Sequence, residues 1–197
     1  MDNHIITTRF NQILKFYNSP LNMYEGENSW MAHRIKLFEN YTLKSWLSQS
    51  DQDYHLFLIS DPNTPEKYKN ILNSYEDLGI NLKILYTDEN VASSEFKSIL
   101  KTEYLKSRTN NSSEVIISRC DNDDLISVNY NLAVKLATQE SDIISLASGM
   151  TYDINTESAN LFFFPKSPFV SVKSNLEEFK SPWYVGHLKI PSTQIRS

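Results

Sequence analysis

The chain has 197 residues, with 19 Lys and Arg against 24 Asp and Glu and a formal net charge of −5; this length predicts one domain, and the acidic balance argues against a nucleic-acid partner. One cysteine, Cys120, excludes an intrachain disulfide, and four widely spaced glycines exclude the Gly-rich motifs of dinucleotide-binding proteins, P-loop NTPases and α/β-hydrolases. Apolar runs are shorter than the ~18 residues that a membrane span requires, and the N-terminus lacks the pattern of a signal peptide, so we expect a cytoplasmic protein without a transmembrane segment.

The first half of the chain alternates short apolar runs with longer segments of helical period. β-Branched residues at Ile5–Thr8 predict a strand. Apolar residues over 32–48 recur every three to four positions, which predicts an amphipathic helix. The run His55–Ile59 predicts a buried strand, and after it Pro65 begins a helix that Gly79 ends.

The same alternation continues in the second half of the chain. Leu82–Tyr86, Val115–Ser118 and Asp142–Leu146 predict three further strands. Between them, the spacing of apolar residues predicts one helix over 92–104 and another over 126–137. Strands that alternate with helices of this length indicate βαβ crossovers and a mostly parallel sheet.

The C-terminal third has a different pattern. From Met150 onward the helical period ends, and short β-like runs such as Asn160–Phe164 lie between prolines. We therefore expect one α/β domain over residues 1–197, with a mostly parallel sheet flanked by helices and an irregular, mixed C-terminal third.

Polar clusters follow three of the predicted strands. Arg9 and Asn11 follow the first strand, Asp61 follows the second, and Asp121-Asn122-Asp123-Asp124 follows the fourth. Open α/β sheets bind ligands at the carboxyl ends of such strands. Carboxylates this close together repel one another unless a cation balances them, and oxygen ligands of this kind suit Mn²⁺ or Mg²⁺. The structural alternative is that Asp124 or Ser127 caps the next helix.

The segment Val115–Asp124 contains a strand, an arginine and the run Asp-Asn-Asp-Asp with its D-x-D motif, and it resembles the signature of the rhamnosyltransferase family. That family consists of small glycosyltransferases with the GT-A nucleotide-sugar fold. Other segments resemble the family in the same order, so that the resemblance covers about residues 5 to 190. These segments are Ile6–Asn11, Trp30 with Arg34, Leu37 and Phe38, Ser60-Asp61 with Thr64-Pro65, Ser167–Ser171, and His187.

The resemblance implies a single GT-A-like domain in which residues 1–149 bind the nucleotide sugar and residues 150–197 form the acceptor side. It implies a nucleoside-diphosphate sugar donor, a glycan or lipid-linked acceptor, and a Mn²⁺ or Mg²⁺ ion between the D-x-D motif and the diphosphate. It leaves open a partner subunit, and it leaves open a packing role for His187. The implied roles are metal binding for Asp121, Asp123 and His187, and donor binding for Arg9, Asn11, Asp61 and Asp121. Arg119 flanks the Asp cluster, so we expect it to bind the donor diphosphate or to pair with the cluster itself.

An inverting enzyme of this kind also needs a carboxylate that deprotonates the acceptor hydroxyl. The candidates in the C-terminal third are Asp153, Glu157, Glu177 and Glu178, and we expect Glu177 or Glu178 to be the catalytic base. Trp183 lies where an acceptor sugar could stack.

The sequence therefore predicts a metal-dependent glycosyltransferase that moves a sugar, such as rhamnose, from a nucleoside-diphosphate donor to a hydroxyl acceptor. Two alternatives belong to other classes. One is a non-catalytic nucleotide-sugar or glycan-binding domain on the same fold, and the other is a metal-dependent phosphohydrolase that uses the Asp cluster.

Overall fold

The computed structural model of the protein describes residues 3–12, 22–165 and 167–183. Runs of β-branched and other apolar residues form its strands. Each strand predicted before Met150 overlaps an observed strand almost end to end. The strands are β1 (His4–Arg9), β2 (His55–Ser60), β3 (Leu82–Tyr86), β4 (Glu114–Arg119), β5 (Ile143–Ser145), β6 (Ser148–Asp153), β7 (Ser158–Phe163) and β8 (Val170–Asn175).

Helices separate the first five strands along the chain. They are α1 (Trp30–Leu37), α2 (Leu43–Leu47), α3 (Glu66–Ser74), α4 (Ser94–Ser107) and α5 (Tyr130–Ala137), with a π-helix at Phe38–Thr42 between α1 and α2 and a 3-10 turn at Tyr75–Asp77 after α3. In the ranges that the structure describes, no helix combines the length and the apolar character that a bilayer crossing requires.

Within the described residues, six strands form one sheet in the order β3-β2-β1-β4-β8-β5. β1 pairs in parallel with β2 and β4, and β2 pairs in parallel with β3, whereas β8 runs antiparallel between β4 and β5. The carboxyl ends of β1, β2 and β4 therefore meet at one edge of the sheet, which we call the carboxyl edge. This mostly parallel sheet with an antiparallel strand from the C-terminal third confirms the predicted fold class.

The sheet has a core on each face, because successive residues of a strand point to opposite sides. Ile6 of β1 packs with Trp46 of α2 on one face, and Ile5 packs with Phe96 and Tyr104 of α4 on the other. Burial of a large apolar side chain stabilises the fold by about 1.5–3 kcal/mol. Packing on both faces therefore makes the sheet a rigid platform for the side chains at its carboxyl edge.

The helix predicted over 32–48 begins slightly earlier and contains one unpredicted feature. Ser29 caps α1, because its Oγ accepts a hydrogen bond of 3.2 Å from the backbone N–H of Ala32. The π-helix widens one turn in the middle of the segment. Phe38 and Trp46 still face the core on either side of that turn, so the apolar period predicted the buried face correctly and did not reveal the π-helix.

The helix predicted over 126–137 is shorter in the structure. Helix α5 begins at Tyr130 and follows Asn129, whose side chain makes no capping hydrogen bond. Helix α5 begins well after Asp124, whereas the Oγ of Ser127 accepts a hydrogen bond of 3.3 Å from the backbone N–H of Asn129 in the turn that leads into α5. The capping alternative is therefore supported for Ser127 and not for Asp124. The segment over 120–129 is instead a loop at the carboxyl end of β4.

A two-stranded hairpin, β6–β7, extends from the carboxyl edge next to β5. Its register places Met150 opposite Leu161 and Tyr152 opposite Ala159 on one face. Leu161 is 90% exposed and Met150 is 69% exposed, and Phe163 lies on the same face with 65% of its surface exposed. The hairpin confirms the β-like runs expected after Met150, but its apolar face is open to solvent in the described structure.

Candidate functional site

Two arginines stack on one tryptophan at the carboxyl edge. The Cζ atoms of Arg9 and Arg119 lie 4.2 Å and 4.3 Å from the ring centre of Trp183. The indole N–H of Trp183 donates a hydrogen bond of 2.7 Å to Oγ1 of Thr7, and Trp183 is only 7% exposed. Trp183 is therefore occupied by protein groups, and the expectation that it stacks on an acceptor sugar is not supported.

Arg119 is the last residue of β4 and is 9% exposed. Its guanidinium lies 3.8 Å from the carboxylate of Asp121. Burial lowers the pKa of Arg119, while the charges of Asp121 and Asp124 act in the opposite direction; arginine nevertheless keeps its charge at any working pH. Among the described residues, the buried Nε of Arg119 has no hydrogen-bond partner.

The Asp cluster is held in place by its second residue. Nδ2 of Asn122 donates a hydrogen bond of 2.8 Å to the backbone oxygen of Phe10, and Oγ1 of Thr42 donates one of 3.1 Å to the backbone oxygen of Asn122. These bonds tie the loop to the end of β1 and to the π-helix. The buried Asn122 is thus the anchor that orients the aspartates on either side of it.

The three aspartates have different surroundings. The side chains of Asp121 and Asp123 are 38% and 47% exposed. Asp124 is half-buried, and desolvation followed by the charges of Asp121 and Asp123 raises the pKa of its carboxyl to about 6. The first and third residues of the cluster thus present the accessible negative charge.

Asp123 forms an ion pair with Arg34 of α1, which the sequence did not predict. The guanidinium of Arg34 also lies 5.0 Å from the ring centre of Trp30, one helical turn earlier. The spacing of Trp30 and Arg34 contained a local signal for this stacking, since residues four apart are neighbours on a helix. No local signal points to Asp123, which reaches Arg34 only through the packing of α1 beside the sheet.

A divalent ion fits this loop only in part. In residues 3–12, 22–165 and 167–183, no three His, Cys, Asp or Glu side chains are arranged to hold a metal. Asp121 and Asp123 do provide two accessible carboxylates, which suit a Mg²⁺ or Mn²⁺ ion that takes its other ligands from water and phosphate. Such an ion would bind Asp123 alongside Arg34, or it would replace Arg34 as the partner of Asp123. The third predicted ligand, His187, lies outside the described residues.

Asn11 and Asp61 are close together at the ends of β1 and β2. The buried Asn11 donates hydrogen bonds to Oγ1 of Thr64 at 2.7 Å and to the hydroxyl of Tyr24 at 3.2 Å, and its Oδ1 accepts the backbone N–H of Asp61 at 2.9 Å. Oδ1 of Asp61 accepts the backbone N–H of Asn63 at 2.8 Å. Asn11 thus uses one amide hydrogen and its Oδ1 for the turn after β2 and donates its other hydrogen bond to Tyr24. Asp61 is the more exposed of the two residues.

Glu177 and Glu178 lie at the opposite edge of the sheet. β8 is antiparallel to β4 and its last residue, Asn175, pairs with Glu114 at the start of β4. Glu177 and Glu178 follow Asn175 in a turn, where Glu178 pairs with Lys180 at 2.8 Å. A strand of six residues is about 20 Å long, and a general base must be within hydrogen-bond reach of its substrate. This placement argues against the predicted catalytic role of both glutamates.

The other two candidate bases lie on the hairpin. Asp153 ends β6 and Glu157 lies in the turn after it, with a φ of 52°. Oδ1 of Asp153 accepts the backbone N–H of Asn155 at 2.8 Å, which lowers the pKa of Asp153. Asp153 and Glu157 thus lie at the tip of the hairpin, about one strand length from its start at the carboxyl edge.

Sequence comparison matches residues 22–191 to a family described as "Putative rhamnosyl transferase". No protein with a curated description matches the chain.

Comparison with solved structures gives distant similarities. The TarS 1–349 chain of S. aureus in complex with UDP has 13% identity and a TM-score of 0.42, over 72% of this chain and 34% of that chain. TarS 1–349 crystallised in a second structure has 15% identity and a TM-score of 0.40 over the same shares. A nucleoside-diphosphate-sugar pyrophosphorylase from Vibrio cholerae RC9 has 13% identity and a TM-score of 0.39, over 89% of this chain and 75% of that chain. The chain thus spans about a third of the length of the TarS chains that it matches.

Proposed function

Because the chain belongs to the family described as "Putative rhamnosyl transferase", we propose that it is a metal-dependent glycosyltransferase that moves a sugar, with rhamnose as the first candidate, from a nucleoside-diphosphate donor to a glycan or lipid-linked hydroxyl acceptor. The observation that carries this proposal is the meeting of Arg9, Arg119 and the Asp121–Asp124 loop at the carboxyl edge. Ligands of open α/β sheets bind at such edges. Phosphate oxygens are bound by arginine side chains and by metal ions that carboxylates hold.

Each predicted donor residue has a place in this proposal. Arg9 and Arg119 would face the diphosphate, Asp121 the ribose or sugar, and Asp61 the nucleobase. Asn11 supports Asp61 by the hydrogen bond to its backbone N–H. Donor contacts would therefore come from the ends of three neighbouring strands, so that one rigid sheet edge sets their spacing.

Mn²⁺ or Mg²⁺ is part of the proposal, with Asp121 and Asp123 as its carboxylate ligands and His187 as a further ligand. Such an ion stabilises negative charge on a departing diphosphate, an effect of several kcal/mol in enzymes of this type. The side chains would position the donor, and a base at the carboxyl edge would remove the proton from the acceptor hydroxyl. We assign that base to neither Glu177 nor Glu178, because they lie at the other edge.

A binding domain without turnover is the second candidate function. The placement of Glu177 and Glu178 favours it, because the two preferred bases are far from the candidate donor site. A metal-dependent phosphohydrolase is the third candidate, and the Asp cluster is its support. Cytoplasmic location and a partner subunit remain predictions from the sequence.

The decisive experiment combines binding with transfer. The protein is mixed with a panel of nucleoside diphosphates and their sugars, in Mn²⁺, Mg²⁺ or EDTA, and its thermal unfolding is followed; a ligand at a hundredfold excess over its Kd adds about 2.7 kcal/mol. The stabilising sugar nucleotide is then incubated with candidate glycan and lipid-linked acceptors, and products are identified by mass spectrometry. Transfer to an acceptor supports the glycosyltransferase, stabilisation without cleavage supports the binding domain, and cleavage to phosphate products without transfer supports the phosphohydrolase.

A further inference from the structure

The hairpin β6–β7 is amphipathic, because its two faces differ in composition. Directly paired residues share a face, and successive residues of a strand lie on opposite faces. The register therefore places Met150 with Leu161 and Tyr152 with Ala159 on one face, where Phe163 ends the row. We call these five residues the apolar face of the hairpin. All five are exposed, and none carries a charge.

The opposite face has the composition of a strand in water. Thr151 and Asp153 from β6 and Ser158 and Asn160 from β7 lie on it, and Phe162 is the one large apolar residue among them. Alternation of apolar and polar residues is the pattern of a strand that is covered on one face. The pattern therefore indicates a ligand or a partner on the apolar face, which is open to solvent in the described structure.

The apolar face is continuous with the candidate donor site. The ring of Tyr152 lies 6.4 Å, centre to centre, from the ring of Tyr41 in the π-helix. The next residue, Thr42, donates the hydrogen bond that holds Asn122 between the aspartates of the loop after β4. The hairpin itself begins after β5 at the carboxyl edge and is about 20 Å long. A ligand that lies along the apolar face can therefore extend to the Asp121–Asp124 loop.

Area and charge distinguish the candidate occupants of this face. Large side chains present about 200 Å² each, so those of the apolar face, at their exposed fractions, present roughly 500 Å². A stable protein interface takes about 800 Å² from each partner, so this face alone is too small to hold a second copy of the chain.

The charge of the hairpin argues against a bilayer surface. Binding to anionic lipid headgroups relies on Lys and Arg beside the apolar residues. The hairpin contains neither, and its tip carries the carboxylates of Asp153 and Glu157. A single apolar chain fits both the area and the charge of the face.

We propose that the apolar face of the hairpin binds the apolar chain of a lipid-linked acceptor and so holds the hydroxyl end of that acceptor near the Asp loop. This inference rests on the proposed function and deepens it, because it selects the lipid-linked class from the two acceptor classes considered there. Met150, Leu161 and Phe163 are binding residues in this scheme. Tyr152 lies between the bound chain and the candidate donor site.

The test is titration calorimetry with alkyl glucosides that share one head group and carry a methyl, butyl, hexyl or octyl chain, each as free monomers. The measurement needs neither a sugar nucleotide nor a metal ion. We expect the unaltered protein to bind these probes more tightly as the chain lengthens, by up to about fourfold for each methylene that the apolar face covers. Octyl glucoside should therefore bind more tightly than methyl glucoside by about tenfold or more.

Phe163→Ser and Phe162→Ser form a matched pair. The two phenylalanines are neighbours on β7, with 65% and 51% of their surface exposed, and they lie on opposite faces of the hairpin. Phe163→Ser should remove most of the gain in affinity with chain length, whereas Phe162→Ser should retain it. Leu161→Ser should resemble Phe163→Ser, and Leu161→Met, which keeps an apolar side chain, should resemble the unaltered protein.

Circular dichroism melts establish that each variant is folded, and if Phe163→Ser is not, the comparison is made between Leu161→Ser and Leu161→Met. Equal affinity for methyl and octyl glucoside, or an equal loss in Phe163→Ser and Phe162→Ser, would overturn the inference. Two other results would also overturn it, because each gives the face another occupant. One is a dimer in sedimentation velocity that Leu161→Ser dissociates, and the other is binding to phosphatidylcholine vesicles that Leu161→Ser abolishes.

These outcomes are separable from those of the proposed function. If sugar transfer is demonstrated while chain length has no effect on binding, the inference alone fails. If affinity increases with chain length and depends on Phe163, the site for an apolar chain is established. Failure of every sugar donor to be transferred would then count against the glycosyltransferase alone.

Discussion

At the scale of single residues, charge pairing is the feature that distinguishes the aspartates of the loop after β4. Asp123 is bound by Arg34, Asp121 lies near Arg119, and Asp124 is half-buried with a pKa raised to about 6. The ion pairs of Asp121 and Asp123 come from neighbours on β4 and α1, whereas the raised pKa of Asp124 comes from burial and then from the charges of Asp121 and Asp123. The D-x-D motif thus supplies carboxylates, and the surrounding arginines determine how much of their charge is available.

Asp123→Ala tests the metal role of this residue. We expect it to remove the Mn²⁺-dependent part of nucleoside-diphosphate binding and to leave the binding measured in EDTA, because the arginines remain. The fold should persist, since the side chain is 47% exposed. Titration calorimetry with and without Mn²⁺ measures both parts, and Glu114→Ala, at the exposed start of β4, is the control. Equal Mn²⁺ dependence in Asp123→Ala and the unaltered protein would contradict the assignment.

His4 makes stability depend on pH. It is fully buried between β4 and α5, and desolvation lowers its pKa from 6.5 to about 4 although the hydrogen bond to Asn131 acts in the opposite direction. As the pH falls from 6.5 towards 4, the unfolded chain takes up a proton that the folded protein does not. The free energy of unfolding should therefore decrease over this window, by up to about 3 kcal/mol from this group.

Urea unfolding at pH 7, 5.5 and 4.5 measures this decrease. His4→Gln keeps hydrogen-bonding capacity without a titratable ring, and it should show a shallower loss of stability with falling pH, whatever its stability at pH 7. If the free energy of unfolding decreases equally with falling pH in the two proteins, groups other than His4 cause the loss of stability in acid.

At the scale of elements, the hairpin β6–β7 differs from every other strand pair in the described structure. All twelve of its residues are exposed, whereas β2 is buried along its whole length. A two-stranded hairpin alone is marginally stable in water, and apolar residues on an exposed face contribute little to the fold. The hairpin therefore stands apart from the two cores that stabilise the sheet.

Leu161→Ala and Leu58→Ala form a matched pair that measures this difference. Leu161 is 90% exposed and Leu58 is 0% exposed. We expect a change of about 0.5 kcal/mol or less for Leu161→Ala, and a loss of about 2–5 kcal/mol for Leu58→Ala because it leaves a cavity in the core. Chemical denaturation gives both values. A comparable loss in the two variants would show that Leu161 is covered in solution.

At the scale of the whole molecule, the direction of each strand decides which loops share the site. β1, β2 and β4 run the same way, so Arg9, Asp61 and Asp121 meet at one edge. The antiparallel β8 sends Glu177 and Glu178 to the other edge, and the chain then returns along the α4 face to bring Trp183 back. Because β8 is antiparallel to β4, Glu178 and Trp183 lie at opposite edges of the sheet although they are close in sequence.

Glu177→Gln and Glu178→Gln, singly and together, test this separation. If the protein transfers sugar, the variants should retain the rate of the unaltered protein, because the glutamates are about one strand length from the candidate donor site. Initial rates at saturating donor and acceptor are the measurement. Loss of a general base typically lowers the rate by 10²–10⁴-fold, and a decrease of that size would restore the catalytic prediction made from the sequence.

The sequence by itself was sufficient for the features that depend on local pattern. The short apolar runs, Leu82–Tyr86 among them, predicted the strands of the sheet, because hydrophobic patterning is a property of neighbouring residues. The Asp cluster was placed at a strand end for the same reason. Once the strands were known to be parallel, their carboxyl ends had to share an edge, and the approximate site followed.

Only the tertiary structure decided which side chains meet. Segments that are distant in sequence come together where Arg34 pairs with Asp123 and where Arg9 and Arg119 stack on Trp183. The direction of β8 places Glu177 away from the candidate site. These contacts depend on the crossing of helices over the sheet and on the direction of β8, neither of which leaves a periodic signal in the chain. An ion pair or a ring contact is a property of three-dimensional distance, and sequence spacing determines that distance only within one element.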